Sequence, residues 1–409
     1  MIKAYYYILI FVTATCPLVA VFSGVGVATI FAIAAIIPII SLIKDKKFNL
    51  LFNAPAKKIC VIFLIYALMT YLWSASNVQI FNLWIRLLLL YIGTIVSIEY
   101  LKEIPLEKLN VLLISTISGV IIAMIAVNFE SLTNGIINSN FIRAHKENYE
   151  FKIYDLNRGL SYIAVSIWMI FGYFIINKKY FLGILLLLIS FITIFPLESS
   201  STSLGLICAF LAYFIVRYSG NYWLYIISTG VIIITISTPI VISLIDVDLF
   251  VDNLPKSLPL SAEHRLYIWD YAATKAQEKS LFGWGLNSSR TFQELPDIFH
   301  VSRGDPNIPG NRWHLLPLHP HNNIMQIWLE LGATGLLLYI GLLLSFLKQI
   351  DKYFEYDINL KSASVATLIS YIAISFTGYG AWQNWWIASV CLIFIFNEFI
   401  KRISQNQKI

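Results

Sequence analysis

Charged side chains are scarce in this chain of 409 residues. Asp, Glu, Lys and Arg together make up 13% of it, whereas the hydrophobic residue types make up 58%. A typical soluble domain is about 45–50% apolar and about 25% charged. The composition therefore excludes an ordinary soluble protein and indicates one that crosses a membrane many times. The net charge of +6 comes from scattered lysines and arginines, so it does not indicate nucleic-acid binding.

Cysteine and short ligand-binding motifs are also rare or missing. The four cysteines lie far apart inside apolar segments without a CxxC pair, which argues against a disulfide framework and a zinc site. No GxGxxG, GxxxxGK[ST] or HExxH motif is found, so the sequence predicts neither a cofactor nor a metal. No internal repeat is visible either, although many secondary transporters are built from two repeated halves.

Long apolar runs are abundant. About twelve runs of roughly 17–25 residues follow one another, which is the length that a helix needs to cross a bilayer. They predict an all-α, polytopic membrane bundle of about twelve transmembrane helices. The predicted spans are 4–22, 24–43, 58–73, 80–98, 109–128, 158–177, 180–196, 202–217, 222–245, 321–347, 360–378 and 384–400.

Basic residues orient these spans. With twelve spans, the lysines and arginines near residues 44–58, 178–179, 217, 348–361 and 401–402 all fall on one side. The positive-inside rule makes that side cytoplasmic, with both termini there. Two longer loops then face the periplasm of a bacterium. The chain divides into a transmembrane bundle, 1–245 (with the outer loop 129–157), a mostly helical periplasmic loop domain, 246–320, and a last group of transmembrane helices, 321–409.

The second long loop contains a predicted amphipathic helix. Residues 263–279 place Leu266, Trp269, Tyr271 and Ala273 among the apolar positions of such a helix. The sequence Gly283-Trp284-Gly285 then breaks it.

Polar residues gather where this loop meets the span 321–347. Pro320 suits the first turn of a helix, so we expect His321 in that turn, next to His319. The helix dipole there disfavours an imidazolium, which leaves the ring able to accept a proton, and the free N–H groups can hold an anion. Asn322, Gln326 and Glu330 recur every four residues and form one polar stripe.

Two arginines are candidates for binding an anion at the same membrane surface. Arg265 opens the amphipathic helix, and Arg158 lies at the outer end of the sixth span. Arginine presents a planar fork of donors that matches phosphate oxygens. The alternatives are a snorkelling or ion-paired arginine at each position, and interhelical hydrogen bonds for Gln326 and Glu330. Gly332 is expected to allow close helix packing, as is Gly335.

The histidine segment resembles the H-[NSQ]-x9-G-x-x-G signature of the bacterial O-antigen ligase family, which is related to O-antigen polymerases and O-oligosaccharyltransferases. The resemblance covers the whole topology, and a second family landmark is similar as well. The residues concerned are His321-Asn322 followed after nine residues by Gly332-Ala333-Thr334-Gly335, and Arg265-Leu266-Tyr267-Ile268-Trp269 followed by Phe282-Gly283-Trp284-Gly285.

The resemblance implies an inverting, metal-independent glycosyltransferase of lipopolysaccharide biosynthesis at the periplasmic face of the cell inner membrane. The donor would be a glycan on undecaprenyl diphosphate, and the acceptor a sugar hydroxyl of lipid A-core. His321 would activate or position that hydroxyl, and Arg265 would bind the diphosphate. The implied substrate-binding residues are Arg158, His319, Asn322, Gln326 and Glu330.

One position departs from the family pattern. Many members carry an arginine at the outer start of the span that here begins at residues 198–203, and this chain has none there. Three explanations are open: Arg158 supplies the second guanidinium, the serine hydroxyls substitute for it in part, or the donor differs.

Three other functions compete with the ligase. An O-antigen polymerase joins one lipid-linked glycan to another, and a related transferase would use a protein or a teichoic-type acceptor. A lipid or sugar transporter is the non-enzymatic alternative. Transporters place polar residues near the bilayer midplane, whereas here they gather at the outer rim, which favours an enzyme.

Overall fold

A computed structural model of the chain describes residues 1–74, 77–145, 149–197, 199–255, 260–294, 298–300 and 312–406. Most of these residues are helical. The α-helices are α1 Ile2–Phe22, α2 Gly26–Asp45, α3 Pro55–Met69, α4 Asn77–Leu101, α5 Leu106–Leu132, α6 Asn157–Ile176, α7 Tyr180–Ile194, α8 Ser200–Tyr218, α9 Trp223–Leu244, α10 Val247–Asp252, α11 Leu260–Glu278, α12 Asn323–Tyr353, α13 Ile358–Thr377 and α14 Asn384–Asn406.

Eleven helices within the described residues are long and apolar enough to cross a membrane. They are α1 to α9, α12 and α13, and each coincides with a predicted span. The last predicted span, 384–400, forms helix α14 but is not among the eleven. The predicted all-α, polytopic membrane fold is confirmed.

The centre of the bundle is built around α6 and α13. Helix α6 is the most buried of the eleven spans, and Trp168 in its middle is fully enclosed. Small residues let its neighbours approach closely: a Cβ on Gly172 would lie 2.6 Å from the Cβ of Ala363 in α13. Arg158 in the first turn of α6 is therefore carried by a rigid element.

The segment between α9 and α12 contains the amphipathic helix that the sequence predicts, in the form of α11. Its buried positions include Ile268, Ala272 and Ala273. A short antiparallel pair of strands, β1 Ile298–His300 and β2 Arg312–His314, was not predicted. The chain between these strands lies outside the described residues.

Helix α12 is interrupted at Gly332, whose backbone is left-handed with φ of 66°. The next two N–H groups therefore bond outside the helix: Ala333 donates to the Ser280 carbonyl at 2.8 Å, and Thr334 to the Leu281 carbonyl at 3.2 Å. Gly332 allows a close approach, as expected, but of the backbone at Leu281 rather than of another transmembrane helix. It also ends one helical segment and starts another.

The segment that follows α11 also donates hydrogen bonds to two carbonyl groups that precede the break at Gly332. The N–H of Trp284 donates to the Leu329 carbonyl at 3.0 Å, and the N–H of Gly285 to the Glu330 carbonyl at 2.7 Å. A Cβ on Gly283 would lie 2.4 Å from the Glu330 backbone, so only glycine fits there. Broken backbone at membrane depth is tolerated where protein groups satisfy it. We call the paired segments 280–285 and 329–334 the backbone clip.

Candidate active site

His321 lies just before helix α12 rather than in its first turn. Its backbone is left-handed with φ of 54°, and the helix begins at Asn323 with Asn322 as the N-cap. The Asn322 Oδ1 accepts the N–H groups of Ile324 and Met325 at 3.0 and 3.1 Å. The prediction that His321 sits in the first turn is wrong, and the Asn322 side chain already occupies two of the N–H groups that were expected to hold an anion.

The imidazole of His321 is held in one tautomer by the loop between α13 and α14. Its Nδ1 lies 2.9 Å from the carbonyl oxygen of Gly378. A carbonyl can only accept, so Nδ1 carries the proton and Nε2 presents a free lone pair. Burial lowers the pKa of His321, the Gly378 bond opposes this in part, and the charge of Arg265 lowers it further. The ring is therefore neutral, as expected, but burial rather than the helix dipole is the main cause.

His319 contacts both the backbone and the ring of His321. Its Nδ1 accepts the backbone N–H of His321 at 3.2 Å, and the two ring centroids are 4.3 Å apart. Its Nε2 lies 2.8 Å from the side-chain amide of Gln383. Burial lowers the pKa of His319 to about 3. It is a neutral, enclosed group that fixes the backbone on which His321 is mounted.

Arg265 approaches His321 from helix α11. The Trp269 indole, one turn further along α11, donates to the Pro320 carbonyl at 2.9 Å and ties the helix to the histidine segment. Burial lowers the pKa of Arg265, whose charge in turn lowers that of His321. Within the described residues Arg265 has neither an ion pair nor a hydrogen bond. A largely buried guanidinium without a carboxylate partner is electrostatically suited to receive an anion.

Arg158 reaches the same region from α6. Its guanidinium carbon lies 5.6 Å from the centroid of the Trp385 ring, and in the described parts of the chain it forms no ion pair. Burial raises the pKa of Tyr379 to about 12, while the charges of Arg158 and Arg265 oppose this. The two arginines predicted from the sequence therefore both lie near one tyrosine, which follows the end of α13 at Thr377.

Gln326 and Glu330 lie beneath the histidines and are engaged with the protein. The Gln326 amide donates to Glu330 Oε1 at 2.9 Å and accepts the Ala381 N–H at 2.8 Å. Glu330 is fully buried and also accepts from the Ser289 hydroxyl and the Trp382 indole, each at 2.6 Å, and from the N–H of Asn287. The stripe predicted from the sequence is thus a hydrogen-bonded support.

Sequence reasoning missed the loop 378–383. It supplies Gly378 to His321, Ala381 to Gln326, Trp382 to Glu330 and Gln383 to His319. A cluster of four aromatic residues at the end of a span, 379–386, was the available signal. Such clusters also mark ordinary membrane-interface belts, so the signal was not specific.

The start of α8, where the family arginine is missing, connects to this loop through hydroxyl groups. The hydroxyl oxygens form a chain of hydrogen bonds: Ser199 to Thr202 at 2.8 Å, Thr202 to Ser161 at 3.0 Å, and Ser161 to Tyr379 at 3.0 Å. Glu198 lies outside the described residues. The position of the missing arginine is therefore close to the site, and both Arg158 and the hydroxyl groups border the same tyrosine.

The described parts of the chain contain no group of three or more His, Cys, Asp or Glu side chains placed to hold a metal ion. The candidate site is a neutral histidine with Arg265 beside it, and Arg158 and Arg265 both lie near Tyr379 of the loop 378–383. It is built at one end of a multi-pass helical bundle. These features define a polytopic membrane protein with a polar site at the end of its bundle.

Comparison with known proteins identifies the family. A family model described as O-antigen ligase matches residues 185–340, which include Arg265 and His321. A protein of Rickettsia bellii named "Putative polysaccharide ligase" is 30% identical over 337 residues, 82% of this chain and 76% of the relative. Similarly named proteins of Rickettsia conorii and Rickettsia felis are 30% and 27% identical, covering 74% and 81% of this chain and 69% and 75% of the relatives. The chain belongs to the O-antigen ligase family.

Proposed function

We propose that the chain is a polysaccharide ligase. It transfers a glycan from undecaprenyl diphosphate to a sugar hydroxyl of lipid A-core, at the periplasmic face of the cell inner membrane, and both its termini are cytoplasmic. The observation that carries this proposal is the juxtaposition of His321, a neutral base with a free Nε2, and Arg265, a largely buried cation whose charge lowers the pKa of that histidine.

The transfer proceeds by direct displacement. The acceptor hydroxyl attacks the anomeric carbon from the face opposite the diphosphate, so the configuration is inverted. The C–O bond to the diphosphate breaks, and the diphosphate leaves on its lipid with the bonding electron pair. His321 Nε2 takes the hydroxyl proton as the new glycosidic bond forms. Arg265 offsets the negative charge that develops on the leaving group, so no metal is needed in this scheme.

The other predicted site residues divide into two groups in this proposal. Arg158, beside Tyr379, contacts the second phosphate or the first sugar of the donor. His319, Gln326 and Glu330 act as positioning residues, because their polar atoms are hydrogen-bonded to protein. Asn322 acts with them by capping α12 through its Oδ1, while its buried Nδ2 has no hydrogen-bond partner in the described residues. They hold His321 and the loop that orients its ring.

Complementation of a bacterium that lacks its own ligase tests the proposal. Lipopolysaccharide is analysed on a gel for the wild type, for His321→Ala and for Arg265→Ala, with expression measured by immunoblot. His145→Ala and Arg217→Ala are the matched controls, because His145 is exposed in the first long loop and Arg217 is exposed in the last turn of α8. We expect capped lipopolysaccharide with the wild type and both controls, and none with the two site variants.

Other results would reassign the chain. Longer lipid-linked glycans without capping would indicate a polymerase that acts at the same site. Capping that survives both site substitutions at normal expression would refute the assigned roles of His321 and Arg265. A wild type that caps nothing and lengthens nothing, with the matching donor supplied, would favour a transporter.

A further inference from the structure

A cavity of about 570 Å³ lies between α3, α4, α12, α13 and α14, apart from the histidine site. Most of its wall is apolar and includes Phe63, Leu87, Leu343 and Phe394. Protein interiors are packed as densely as organic crystals, so a space of this size within a membrane bundle fits a hydrocarbon chain. One hydrocarbon chain of lipid is the ligand class that such a wall accepts.

The two ends of the cavity differ. One end is lined by Ala381 and Trp382, directly under the candidate site. The other end, on the opposite side of the membrane, is lined by Lys57, Glu99, Lys102, Asn397 and Glu398. Residues 387 and 398 of α14 both line the wall and are eleven residues apart, roughly 16 Å along the helix. That distance is about one leaflet of a bilayer whose hydrocarbon core is about 30 Å thick.

Two buried acceptors at the polar end lack a donor. Glu398 Oε2 and Asn397 Oδ1 have no hydrogen-bond partner in the described parts of the chain, and each residue is only 4% exposed. A buried polar atom without a partner is costly, so adjacent acceptors that line a cavity indicate a ligand with hydrogen-bond donors.

The charges at this end balance. Lys57 and Lys102 line it together with Glu99 and Glu398, which gives two positive and two negative groups. Lys102 is ion-paired with Glu99 at 2.9 Å, and the Lys57 ammonium donates to the Leu50 carbonyl and to Asn53 Oδ1, each at 2.8 Å. Two further cations lie nearby: the Lys401 ammonium is 3.3 Å from the centroid of the Tyr353 ring, and Arg402 donates to the carbonyls of Leu101 and Ile104 at 2.8 and 2.9 Å. A balanced set of charges complements a zwitterionic headgroup better than an anionic one.

We propose that this cavity binds a phospholipid with an ammonium headgroup from the leaflet opposite the histidine site. The ammonium bonds to Glu398 Oε2 and Asn397 Oδ1, and the phosphate lies beside Lys57 and Lys102. One acyl chain fills the cavity toward Trp382. A lipid diphosphate entering from the histidine end would leave both acceptors without a donor, so it is not the assigned occupant.

The bound lipid would act on the site through Trp382. Trp382 lines the end of the cavity next to the candidate site, and its indole N–H donates to Glu330 Oε2 at 2.6 Å. An acyl chain beneath this ring supports it from the membrane side and keeps Glu330 in contact with the loop 378–383.

Lipid binding to the purified, full-length protein tests this assignment. The delipidated protein in detergent is titrated with dioleoyl phosphatidylethanolamine, dioleoyl phosphatidylglycerol or a polyprenyl monophosphate. Bound lipid is counted by native mass spectrometry, and the unfolding temperature is followed by tryptophan fluorescence. We expect one tightly bound phosphatidylethanolamine that raises the unfolding temperature. Equal binding of phosphatidylglycerol overturns the headgroup assignment, and preferential binding of the polyprenyl lipid overturns the choice of occupant.

Two pairs of variants locate the lipid in the cavity. Lys57→Gln should weaken binding about tenfold, since it removes a charged partner of the phosphate, while Lys58→Gln, at an exposed neighbour outside the cavity, should not. Cys60→Phe fills the wall and should abolish binding, whereas Cys208→Phe, in α8 and outside the cavity, should leave it unchanged. If Lys57→Gln and a folded Cys60→Phe both bind lipid like the wild type, the proposal is wrong. If Cys60→Phe does not fold, the Lys57 and Lys58 pair decides.

Discussion

The indole N–H of Trp382 donates to Glu330 Oε2 at 2.6 Å, and this bond joins the helix after the histidines to the loop that orients them. Glu330 is fully buried, and the donors around it come from α12, from residues 287–289 and from the loop 378–383. One carboxylate therefore connects three separate parts of the chain beneath the site.

Glu330→Gln should destabilise the protein and reduce transfer. A glutamine amide offers one acceptor oxygen in place of two, so it leaves donors such as Trp382 and Ser289 without a partner, at a cost of about 1–3 kcal/mol each. The unfolding temperature and the capping of lipopolysaccharide should both fall. Glu355→Gln, at an exposed position after α12, is the control and should change neither. An unchanged unfolding temperature for Glu330→Gln would show that Glu330 is not a support.

Transfer should depend on pH through His321. Burial lowers the pKa of this histidine below its ordinary value of about 6.5, so the neutral, active form persists into mildly acidic solution. The transfer rate with purified protein and lipid-linked donor should be level above pH 6.5 and fall only at lower pH. A transfer rate that falls with acid at a midpoint above pH 7 would contradict a neutral, buried base at this position.

Acid should also destabilise the fold, through His319. Burial lowers its pKa to about 3, so between pH 6.5 and 3 the unfolded chain binds a proton that the folded protein excludes. Stability is present above pH 6.5 and is lost as the pH falls, by on the order of 1 kcal/mol per pH unit from this group. His319→Asn should flatten the dependence of the unfolding temperature on pH, and an unchanged slope in that variant would exclude His319 as the source.

Gly332→Ala should prevent normal folding. The left-handed backbone at this position, with φ of 66° and ψ of −168°, is almost restricted to glycine, and a Cβ there would lie 2.5 Å from the Leu281 backbone. We expect a loss of at least about 3 kcal/mol, seen as low expression and a low unfolding temperature. Gly230→Ala in α9 is the control, since a Cβ there meets nothing within 4 Å. Equal behaviour of the two variants would argue against the backbone clip.

Arg158 can be tested as the substitute for the missing family arginine. Arg158→Ala should strongly reduce capping at normal expression, because one of the two cations beside Tyr379 is lost. Ser201 lies close to Gly378, since a Cβ on that glycine would be 3.3 Å from the serine side chain. The double variant Arg158→Ala with Ser201→Arg should therefore regain part of the activity, and full capping by Arg158→Ala alone would remove Arg158 from the site.

The sequence predicts those parts of the molecule that depend on local patterns. Each transmembrane helix is an apolar run of sufficient length, and α11 follows its amphipathic pattern, so both were found. The sequence indicates Arg265, Arg158 and His321 as candidate site residues because charged and polar residues at the end of a membrane span are unusual. Their mutual distances were not predictable from spacing alone.

The remaining features depend on contacts between distant segments. Gly332 looks like a packing glycine in an apolar run, and only residues 280–285, about fifty positions earlier, make a break there possible. Pro320 suggests a helix start at His321. The helix instead begins two residues later, at Asn323, with the Asn322 side chain as its N-cap. The loop 378–383 has no chemical motif of its own. It matters because the fold brings its Gly378 carbonyl and its Gln383 side chain to the histidines, and its Ala381 N–H to Gln326.

The backbone clip has a consequence for how the chain is made. Residues 280–285 leave the ribosome before α12, so the groups that satisfy Leu329, Glu330, Ala333 and Thr334 are already present when the helix is inserted. The order of synthesis matches the order in which the bonds are needed. A circular permutant that starts with α12 would bring that helix to the membrane without its partner, with four unpaired backbone groups at the break.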